Sequence, residues 1–191
     1  MRIIAGRFKG RRLTPPDWDG LRPTSDKLRE TLFNVLAPRV GGTRVLDVYA
    51  GTGALGLEAL SRGAAHVVFI DADRRATALI ARAASAWGAE ADYTIHDGDA
   101  VIWLRRLAAG PRFDLILLDP PYASPQVREA LAAAAECLAP GGAVVLERAT
   151  RREPDVPASL RRVRDLRSGD STLTFFERAE AGDVPGEPVQ A

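Results

Sequence analysis

The chain has 191 residues, of which 46% are hydrophobic and 27% charged, and its net charge at pH 7 is +1. This length predicts one domain with a hydrophobic core of its own. The apolar runs are too short to span a bilayer and the first residues lack a signal peptide's apolar stretch, so we expect a soluble cytoplasmic protein with no membrane partner. One cysteine, Cys137, excludes an internal disulfide, and with two histidines we expect no metal site.

The start of the chain is strongly basic. Five positive and no negative charges lie within the first twelve residues, a pattern typical of contacts with phosphate groups. Residues 2–6 and 10–13 resemble two short strands around a turn, which predicts a small basic β-hairpin outside the main core, within a segment spanning residues 1–20. The predicted nucleic-acid-binding residues are Arg2, Arg7, Lys9, Arg11, Arg12 and Arg22.

A helix is predicted to begin at Thr24 or Ser25, after Pro23, because apolar residues then recur at helical spacing. From Thr43 onward strands and helices alternate. The predicted strands are near 44–48, 66–70, 92–96, 113–118 and 143–147, and the predicted helices near 54–62, 74–87, 98–108 and 125–138. This alternation indicates a parallel sheet covered by helices on both faces.

The last regular segments, residues 161–166 and 172–177, are predicted to be two antiparallel strands at the edge of the sheet. The fold class is therefore α/β, with a mostly parallel seven-stranded sheet and an antiparallel edge pair. We expect one domain over residues 21–180 and a disordered tail over 181–191, where glycine, proline and acidic residues predominate.

A glycine-rich loop follows the first predicted strand. Gly51, Gly53 and Gly56 satisfy the pattern G-x-G-x-x-G, and Asp71 lies twenty residues beyond Gly51 at the end of the second strand. The pattern predicts a backbone that approaches a ligand closely and a carboxylate that binds a ribose hydroxyl pair. Nicotinamide cofactors and S-adenosylmethionine both carry such a ribose.

Asp47, just before the glycines, favours S-adenosylmethionine. A carboxylate there would repel a pyrophosphate but could attract the ammonium group of S-adenosylmethionine, directly or through water. The chain also lacks room for the second nucleotide-binding half and the substrate domain of a typical dehydrogenase. Asp99 follows the third predicted strand, so the acids after successive strands are expected to line one rim of the sheet.

The residues Asp119, Pro120, Pro121 and Tyr122 follow the apolar run 115–118, where a buried strand should end in a loop. A carboxylate and an aromatic ring in such a loop suit a planar group that carries an NH2, because the acid can accept from the amine and the ring can stack on the plane. An ordinary turn is the alternative interpretation. Cys137 lies in a predicted helix, as a buried small residue rather than a nucleophile.

The glycine loop, the acids after the strands and the Asp-Pro-Pro-Tyr loop resemble the class I S-adenosylmethionine-dependent methyltransferases that act on exocyclic amines. The closer resemblance is to the RsmD family of bacterial small-subunit (16S) ribosomal RNA guanine-N2 methyltransferases. It is carried by residues 2–6, 10–13, 21–36, 47–61 and 169–176, and most specifically by Arg22, Pro23 and Thr24 with the helix that follows. Two mild departures are Tyr49 and Ala5, where the family often has phenylalanine and glycine.

The resemblance implies a Rossmann-like fold, S-adenosylmethionine as cofactor and ribosomal RNA as substrate. We expect the RNA to be bound within a small-subunit assembly particle, with naked RNA and the finished particle as alternatives, and the protein to be a monomer. Asp47, Gly51 and Gly53 would serve the amino-acid end of the cofactor, Asp71 the ribose and Asp99 the adenine amine. The implied catalytic residues are Asp119, Pro120, Pro121 and Tyr122. The implied cofactor-binding residues are Asp47, Ala50, Gly51, Gly53, Asp71, Asp99 and Ala100.

Three alternatives remain open from the residues alone. The Asp-Pro-Pro-Tyr loop also serves adenine N6 and cytosine N4, so DNA could be the substrate instead of RNA. A nucleic-acid-binding protein could keep the fold without the activity, although intact Asp119, Gly51 and Asp71 speak against this. A dehydrogenase comes last, and binding of S-adenosylhomocysteine or of NAD would discriminate the two cofactor classes.

Overall fold

The computed structural model describes residues 1–14, 16, 18 and 25–180. The chain divides into two compact units, Met1–Asp99 and Ala100–Ala191. Its seven strands belong to a single sheet. The predicted α/β fold with a mostly parallel seven-stranded sheet is confirmed. The predicted boundary at residues 20/21 and the predicted tail over 181–191 lie outside the described residues.

The first unit contains three parallel strands in the order β3-β2-β1. Its elements are α1 (Asp26–Leu36), β1 (Arg44–Val48), α2 (Ala54–Ser61), β2 (His66–Asp71), α3 (Arg74–Ala86), a 3₁₀ turn (Glu90–Asp92) and β3 (Tyr93–Asp97). The apolar residues of β1 and β2 are buried along both strands, as expected for parallel strands covered on both faces. Ser25 caps α1 by accepting a hydrogen bond from the Leu28 N–H at 3.1 Å.

The basic N-terminal segment differs from the predicted hairpin. It forms one isolated antiparallel bridge between Arg2 and Arg12, with no strand among residues 1–14. Ile3, Phe8 and Leu13 are buried, so the segment contributes to a core rather than lying outside it. The turn does not extend into strands because several of its backbone donors bind α2 instead.

Two side chains of α2 fasten the N-terminal segment. The Glu58 carboxylate accepts from the Ile4 N–H at 2.7 Å and the Ala5 N–H at 3.0 Å, and the Ser61 hydroxyl accepts from the Phe8 N–H at 2.9 Å. Glu58 is fully buried and also pairs with Arg62, the residue that follows α2. These bonds use backbone N–H groups that a regular hairpin would leave to solvent or to its own ladder.

The second unit contains four strands in the order β4-β5-β7-β6. Its elements are α4 (Ala100–Leu107), β4 (Phe113–Leu118), α5 (Val127–Cys137), β5 (Leu138–Ala149), β6 (Leu160–Ser168) and β7 (Ser171–Arg178). Strands β4 and β5 are parallel, whereas β7 is antiparallel to both of its neighbours, β5 and β6. The predicted antiparallel pair at the sheet edge is thereby confirmed.

Strand β5 begins five residues earlier than the sequence predicts, at Leu138 instead of residue 143. Leu138 pairs with Phe113, and the next partner of β4 is Ala143, so residues 139–142 form an irregularity within the strand. The sequence of these residues, Ala139-Pro140-Gly141-Gly142, is typical of a turn. The prediction failed because a bulge uses the same residue types as a turn.

Within the described residues, no helix is long and apolar enough to cross a membrane.

Candidate active site

The glycine-rich loop connects β1 to α2. Gly53 has a φ of 74° and occupies the N-cap position of α2, and a Cβ on it would come within 2.8 Å of the Ile80 side chain. A Cβ on Gly56 would meet the Phe69 ring at 2.3 Å. The loop therefore needs glycine at one position for its left-handed backbone and at the other for close packing of α2 on β2.

Asp47 lies in β1 and is only 1% exposed. Its Oδ2 atom accepts from the Gly56 N–H at 2.8 Å, so the carboxylate lies at the N-terminal turn of α2. A negative charge is favourable there because the first backbone N–H groups of a helix have no partner within the helix. Asp47 thus fixes the shape of the glycine loop, and its predicted contact with an ammonium group stays a prediction.

Asp71, at the end of β2, reaches the same loop from the neighbouring strand. Its Oδ2 atom accepts from the Gly51 N–H at 2.7 Å and its Oδ1 atom from the Asp73 N–H at 2.8 Å. The Ala50 N–H donates to the Ile70 carbonyl at 3.0 Å. The structure thereby brings together Asp47, Ala50, Gly51, Gly53 and Asp71, five of the seven predicted cofactor-binding residues.

The other two predicted cofactor-binding residues adjoin the boundary between the units. Asp99 is the last residue of the first unit and is half-buried, and Ala100 is the buried first residue of α4. The loop before them is attached to β2, since the Gly98 N–H donates to the Asp71 carbonyl at 2.9 Å.

The Asp-Pro-Pro-Tyr loop follows β4, as predicted. Asp119 and Tyr122 are half-buried, Pro120 is buried and Pro121 is exposed. A turn closes the loop, in which the Ser124 N–H donates to the Pro121 carbonyl at 2.8 Å. The two interpretations of the sequence are therefore compatible, because a loop that contains a turn can also carry functional side chains.

Tyr122 is bound at its side chain and at its backbone by residues that the sequence did not indicate. Its hydroxyl lies 2.7 Å from the Ser171 hydroxyl of β7. The Arg152 guanidinium donates to the Tyr122 carbonyl. These partners are 49 and 30 residues away along the chain, so no local pattern indicates either contact.

A cavity of about 340 Å³ lies beside this loop within the second unit. It is lined by the loop residues Pro120, Pro121 and Tyr122, by the start of α5, by residues 146–149 at the carboxyl end of β5 and by residues 152–155. Its volume is at the lower end of the range of small-molecule sites, roughly 300 to 1,000 Å³.

Arg148 holds the cavity wall formed by residues 152–155. Its buried guanidinium pairs with Asp165 at 2.9 Å and Glu153 at 3.2 Å and donates to the Arg152 carbonyl at 2.9 Å. Burial by itself raises the pKa of Asp165, but hydrogen bonds from Arg162 and Thr174 and the nearby guanidinium charges lower that pKa overall. The carboxylate therefore stays ionised and keeps the wall in place.

The predicted nucleic-acid-binding residues that the structure describes are all exposed: Arg2, Arg7, Lys9, Arg11 and Arg12. Arg7 forms an ion pair with Asp92, which offsets part of its charge. Arg22 lies outside the described residues.

Among residues 1–14, 16, 18 and 25–180, no group of three histidine, cysteine or acidic side chains could hold a metal ion. The expectation that the protein has no metal site stays a prediction from the sequence. Cys137 is buried, as predicted, and burial raises the pKa of its thiol to about 11.

Known proteins are similar to this chain over nearly its whole length. The family described as Conserved hypothetical protein 95 matches residues 1–177. The Ribosomal RNA small subunit methyltransferase D of Escherichia coli K12 is 35% identical over 187 residues, 96% of this chain and 92% of that protein. The protein of the same name from Haemophilus influenzae is 37% identical over 123 residues, 64% of each chain.

Among solved structures, yhhF of Escherichia coli matches with a TM-score of 0.82 at 34% identity, over 93% of this chain and 97% of that one. The family match and the relatives agree with the resemblance found in the sequence. The chain therefore belongs to the Conserved hypothetical protein 95 family, and the predicted membership of the RsmD family is confirmed.

Proposed function

We propose that the protein transfers a methyl group from S-adenosylmethionine to the exocyclic N2 amine of a guanine in small-subunit ribosomal RNA. One observation carries this proposal: an Asp-Pro-Pro-Tyr loop lies beside a cavity in a chain that aligns over 96% of its length with a ribosomal RNA small subunit methyltransferase. The family membership favours ribosomal RNA over DNA, which the loop itself does not distinguish.

The loop residues suit the chemistry of an aromatic amine. The lone pair of a guanine N2 amine is delocalised into the ring, so the nitrogen must be pyramidalised and aimed at the methyl group. The Asp119 carboxylate and the Pro120 carbonyl would accept the two hydrogens of the amine, and Tyr122 would stack on the base. Positioning supplies most of the rate, and Asp119 need not be a strong base because the amine proton becomes acidic after transfer.

The glycine loop fits S-adenosylmethionine as the cofactor. The left-handed backbone at Gly53 and the short distance to Ile80 leave room for backbone but not for a Cβ. Each carboxylate oxygen of Asp71 accepts one backbone N–H, which leaves a further lone pair on each for ribose hydroxyls. Asp47 would act on the amino-acid end and Asp99 on the adenine. When bound, the cofactor supplies an electrophilic methyl group.

The cavity beside Tyr122 suits a single flipped base. A base paired within an RNA helix cannot enter a pocket of this kind, so the target nucleotide must be unpaired or flipped out. Flipping costs a few kcal/mol of unstacking, which stacking on the Tyr122 ring offsets.

The proposal is tested by transfer of labelled methyl groups to small subunits from a strain that lacks the protein, beside genomic DNA, with nucleoside analysis of the product. Asp119→Ala removes the oxygen atoms that would accept a hydrogen of the amine, and we expect the transfer rate to fall about 100-fold or more. Asp114→Ala is the matched control, because Asp114 is an exposed acid near the amino end of the strand that precedes Asp119. It should leave the rate unchanged.

Label in N2-methylguanosine that disappears in Asp119→Ala would support both the substrate and the site. Label in N6-methyladenine or N4-methylcytosine of DNA would overturn the RNA assignment. Calorimetry with S-adenosylhomocysteine and with NAD tests the cofactor separately, and binding of NAD alone would contradict it.

We further propose that the substrate is a partly assembled small subunit in the cytoplasm and that the protein acts as a monomer. The exposed basic residues of the N-terminal segment form a short surface, so ribosomal proteins would supply part of the affinity. Equal methylation rates for protein-free RNA and for the particle would contradict the first point. Light scattering of the purified protein during chromatography checks the second.

A further inference from the structure

The segment 169–176, one of the five segments that carry the family resemblance, has no role in the proposed chemistry. One of its residues, Ser171, contacts the Asp-Pro-Pro-Tyr loop: the Ser171 hydroxyl lies 2.7 Å from the Tyr122 hydroxyl. We infer that Ser171 is a positioning residue that holds the ring of Tyr122 in the orientation that receives the base. This inference rests on the proposed function and deepens it.

Ser171 is well placed to act as a fixed point. It is the first residue of β7, pairs with Ala149 of β5 on one side and with Ser168 of β6 on the other, and is 7% exposed. A side chain on a strand with partners on both sides has little freedom. Its hydroxyl therefore offers Tyr122 a hydrogen-bond partner at a defined location.

Tyr122, by contrast, lies in a loop, and its backbone and its ring are controlled separately. The Arg152 guanidinium binds the Tyr122 carbonyl and so holds the main chain. That bond does not restrict rotation of the side chain about its first torsion angle. Because the phenol oxygen lies at the far end of the ring axis, a bond from Ser171 selects one direction of that axis among the staggered rotamers.

Loss of this bond should reduce the fraction of molecules whose ring is ready to stack, without removing the ring. One hydrogen bond of ordinary net strength corresponds to about a three- to tenfold change in that population. We therefore expect Ser171→Ala to lower kcat/KM for the small subunit about three- to tenfold, with unchanged affinity for S-adenosylhomocysteine. Ser171→Thr retains the hydroxyl and should recover most of the rate.

A double-mutant cycle separates positioning from a general structural role. Tyr122→Phe removes the other partner of the same bond, so Ser171→Ala should cause no further loss in that background. Thr172→Val is the matched control, because it removes a buried hydroxyl at the next position of β7 that bonds to the Thr150 hydroxyl rather than to Tyr122. It should leave the transfer rate unchanged.

A second measurement does not depend on activity. The chain has three tyrosines, Tyr49, Tyr93 and Tyr122, so ring-labelled tyrosine gives a small set of NMR signals, and Tyr122→Phe identifies one of them. Ser171→Ala should shift the ζ-carbon signal of Tyr122 and leave the other two in place. Thr172→Val should shift none.

The inference is overturned if Ser171→Ala is as active as the wild type, if its loss is undiminished in the Tyr122→Phe background, or if the Tyr122 signal does not move. A wild-type protein that methylates no small subunit would overturn the proposed function and this role with it. The NMR shifts would then still reveal whether the hydroxyl bond forms, so the two failures are distinguishable.

Discussion

Asp71 combines two tasks in one side chain. It accepts from the Gly51 and Asp73 N–H groups and is also the residue proposed to bind the ribose. Two carboxylate oxygens with about four lone-pair sites can satisfy both demands at once. The carboxylate therefore shapes the loop before the cofactor arrives, and a change at this residue affects the loop as well as the ligand.

Asp71→Ala should weaken binding of S-adenosylhomocysteine about tenfold or more, because it removes charge-assisted bonds to the loop and to the ribose together. Isothermal calorimetry measures this change. Asp73→Ala is the control, since Asp73 caps α3 through the Arg75 N–H and is not assigned to the cofactor. Equal losses of affinity in the two variants would contradict a specific role for Asp71.

Cys137 should be inert in the folded protein. It is buried, its thiol donates to the Leu104 carbonyl at 3.1 Å, and burial raises its pKa to about 11. At pH 8 roughly one thiol in a thousand is then ionised, and the thiolate is the reactive form. Ellman's reagent should modify the native protein far more slowly than the denatured protein, and fast native labelling would contradict the buried placement.

The same raised pKa has a consequence for stability. Above the ordinary thiol pKa of 9.0, the unfolded chain releases a proton that the folded chain keeps. The free energy of unfolding should therefore fall as pH rises from about 9 to 11. Chemical denaturation across this range should show a smaller decline in Cys137→Ala than in the wild type, and parallel curves would contradict this linkage.

Residues that belong to a local sequence pattern were predictable from the sequence. Asp47 and Asp71 lie near the ends of two neighbouring parallel strands, and Gly51 follows the first of them, so the strand pattern alone brings these three residues to one edge. Ser171 and Arg152 were not predictable, because their contacts with Tyr122 join distant parts of the chain. A serine at the start of a strand and an arginine in a basic stretch carry no local signal of that kind.

At the scale of elements, the N-terminal segment and α2 form one unit of packing. Gly6 has a φ of 84°, and a Cβ on it would lie 1.8 Å from the Ser61 carbonyl oxygen. Alanine cannot fit without moving the segment away from α2. The bonds from Glu58 and Ser61 to the segment would then break together.

Gly6→Ala should lower the free energy of unfolding by about 2 to 4 kcal/mol, through overpacking and a strained backbone. Gly10→Ala is a close control, because Gly10 has a similar φ of 82° but no atom within 4 Å of the added Cβ. Gly10→Ala should lower the free energy of unfolding only through the strained backbone, by about 1 to 2 kcal/mol. Urea denaturation measures both, and equal losses would contradict the close contact with Ser61.

Most element positions followed from apolar periodicity, and the exceptions have physical causes. Periodicity placed β1, β2 and β4 within one residue of their observed ends. It missed residues 138–142 of β5 because a bulge and a turn share proline and glycine. It overstated the N-terminal hairpin because several backbone N–H groups of that segment donate to α2, whereas those of Ile3, Gly10 and Leu13 donate within the segment. Only the folded chain reveals this division.

For the whole molecule, the net charge of +1 conceals a local basic surface made of exposed residues of the N-terminal segment. Replacing Arg11 and Arg12 with alanine should weaken binding to small subunits and lower the salt dependence of log K by about 0.7 to 0.9 for each phosphate that is no longer neutralised. Arg7→Ala should change the slope less, since Arg7 pairs with Asp92. Filter binding across salt concentrations measures this, and an unchanged slope would contradict the assignment.

The position of β7 between β5 and β6 also has a consequence during synthesis. The residues of β5 from Ala143 to Glu147 are buried, and β7, near the end of the described chain, completes their hydrogen bonding. Until residues 171–178 have left the ribosome, β5 presents an unpaired apolar edge that can bind other chains. Nascent chains stalled before residue 171 should therefore depend on chaperones to stay unaggregated. Chains from which residues 171–178 have emerged should not.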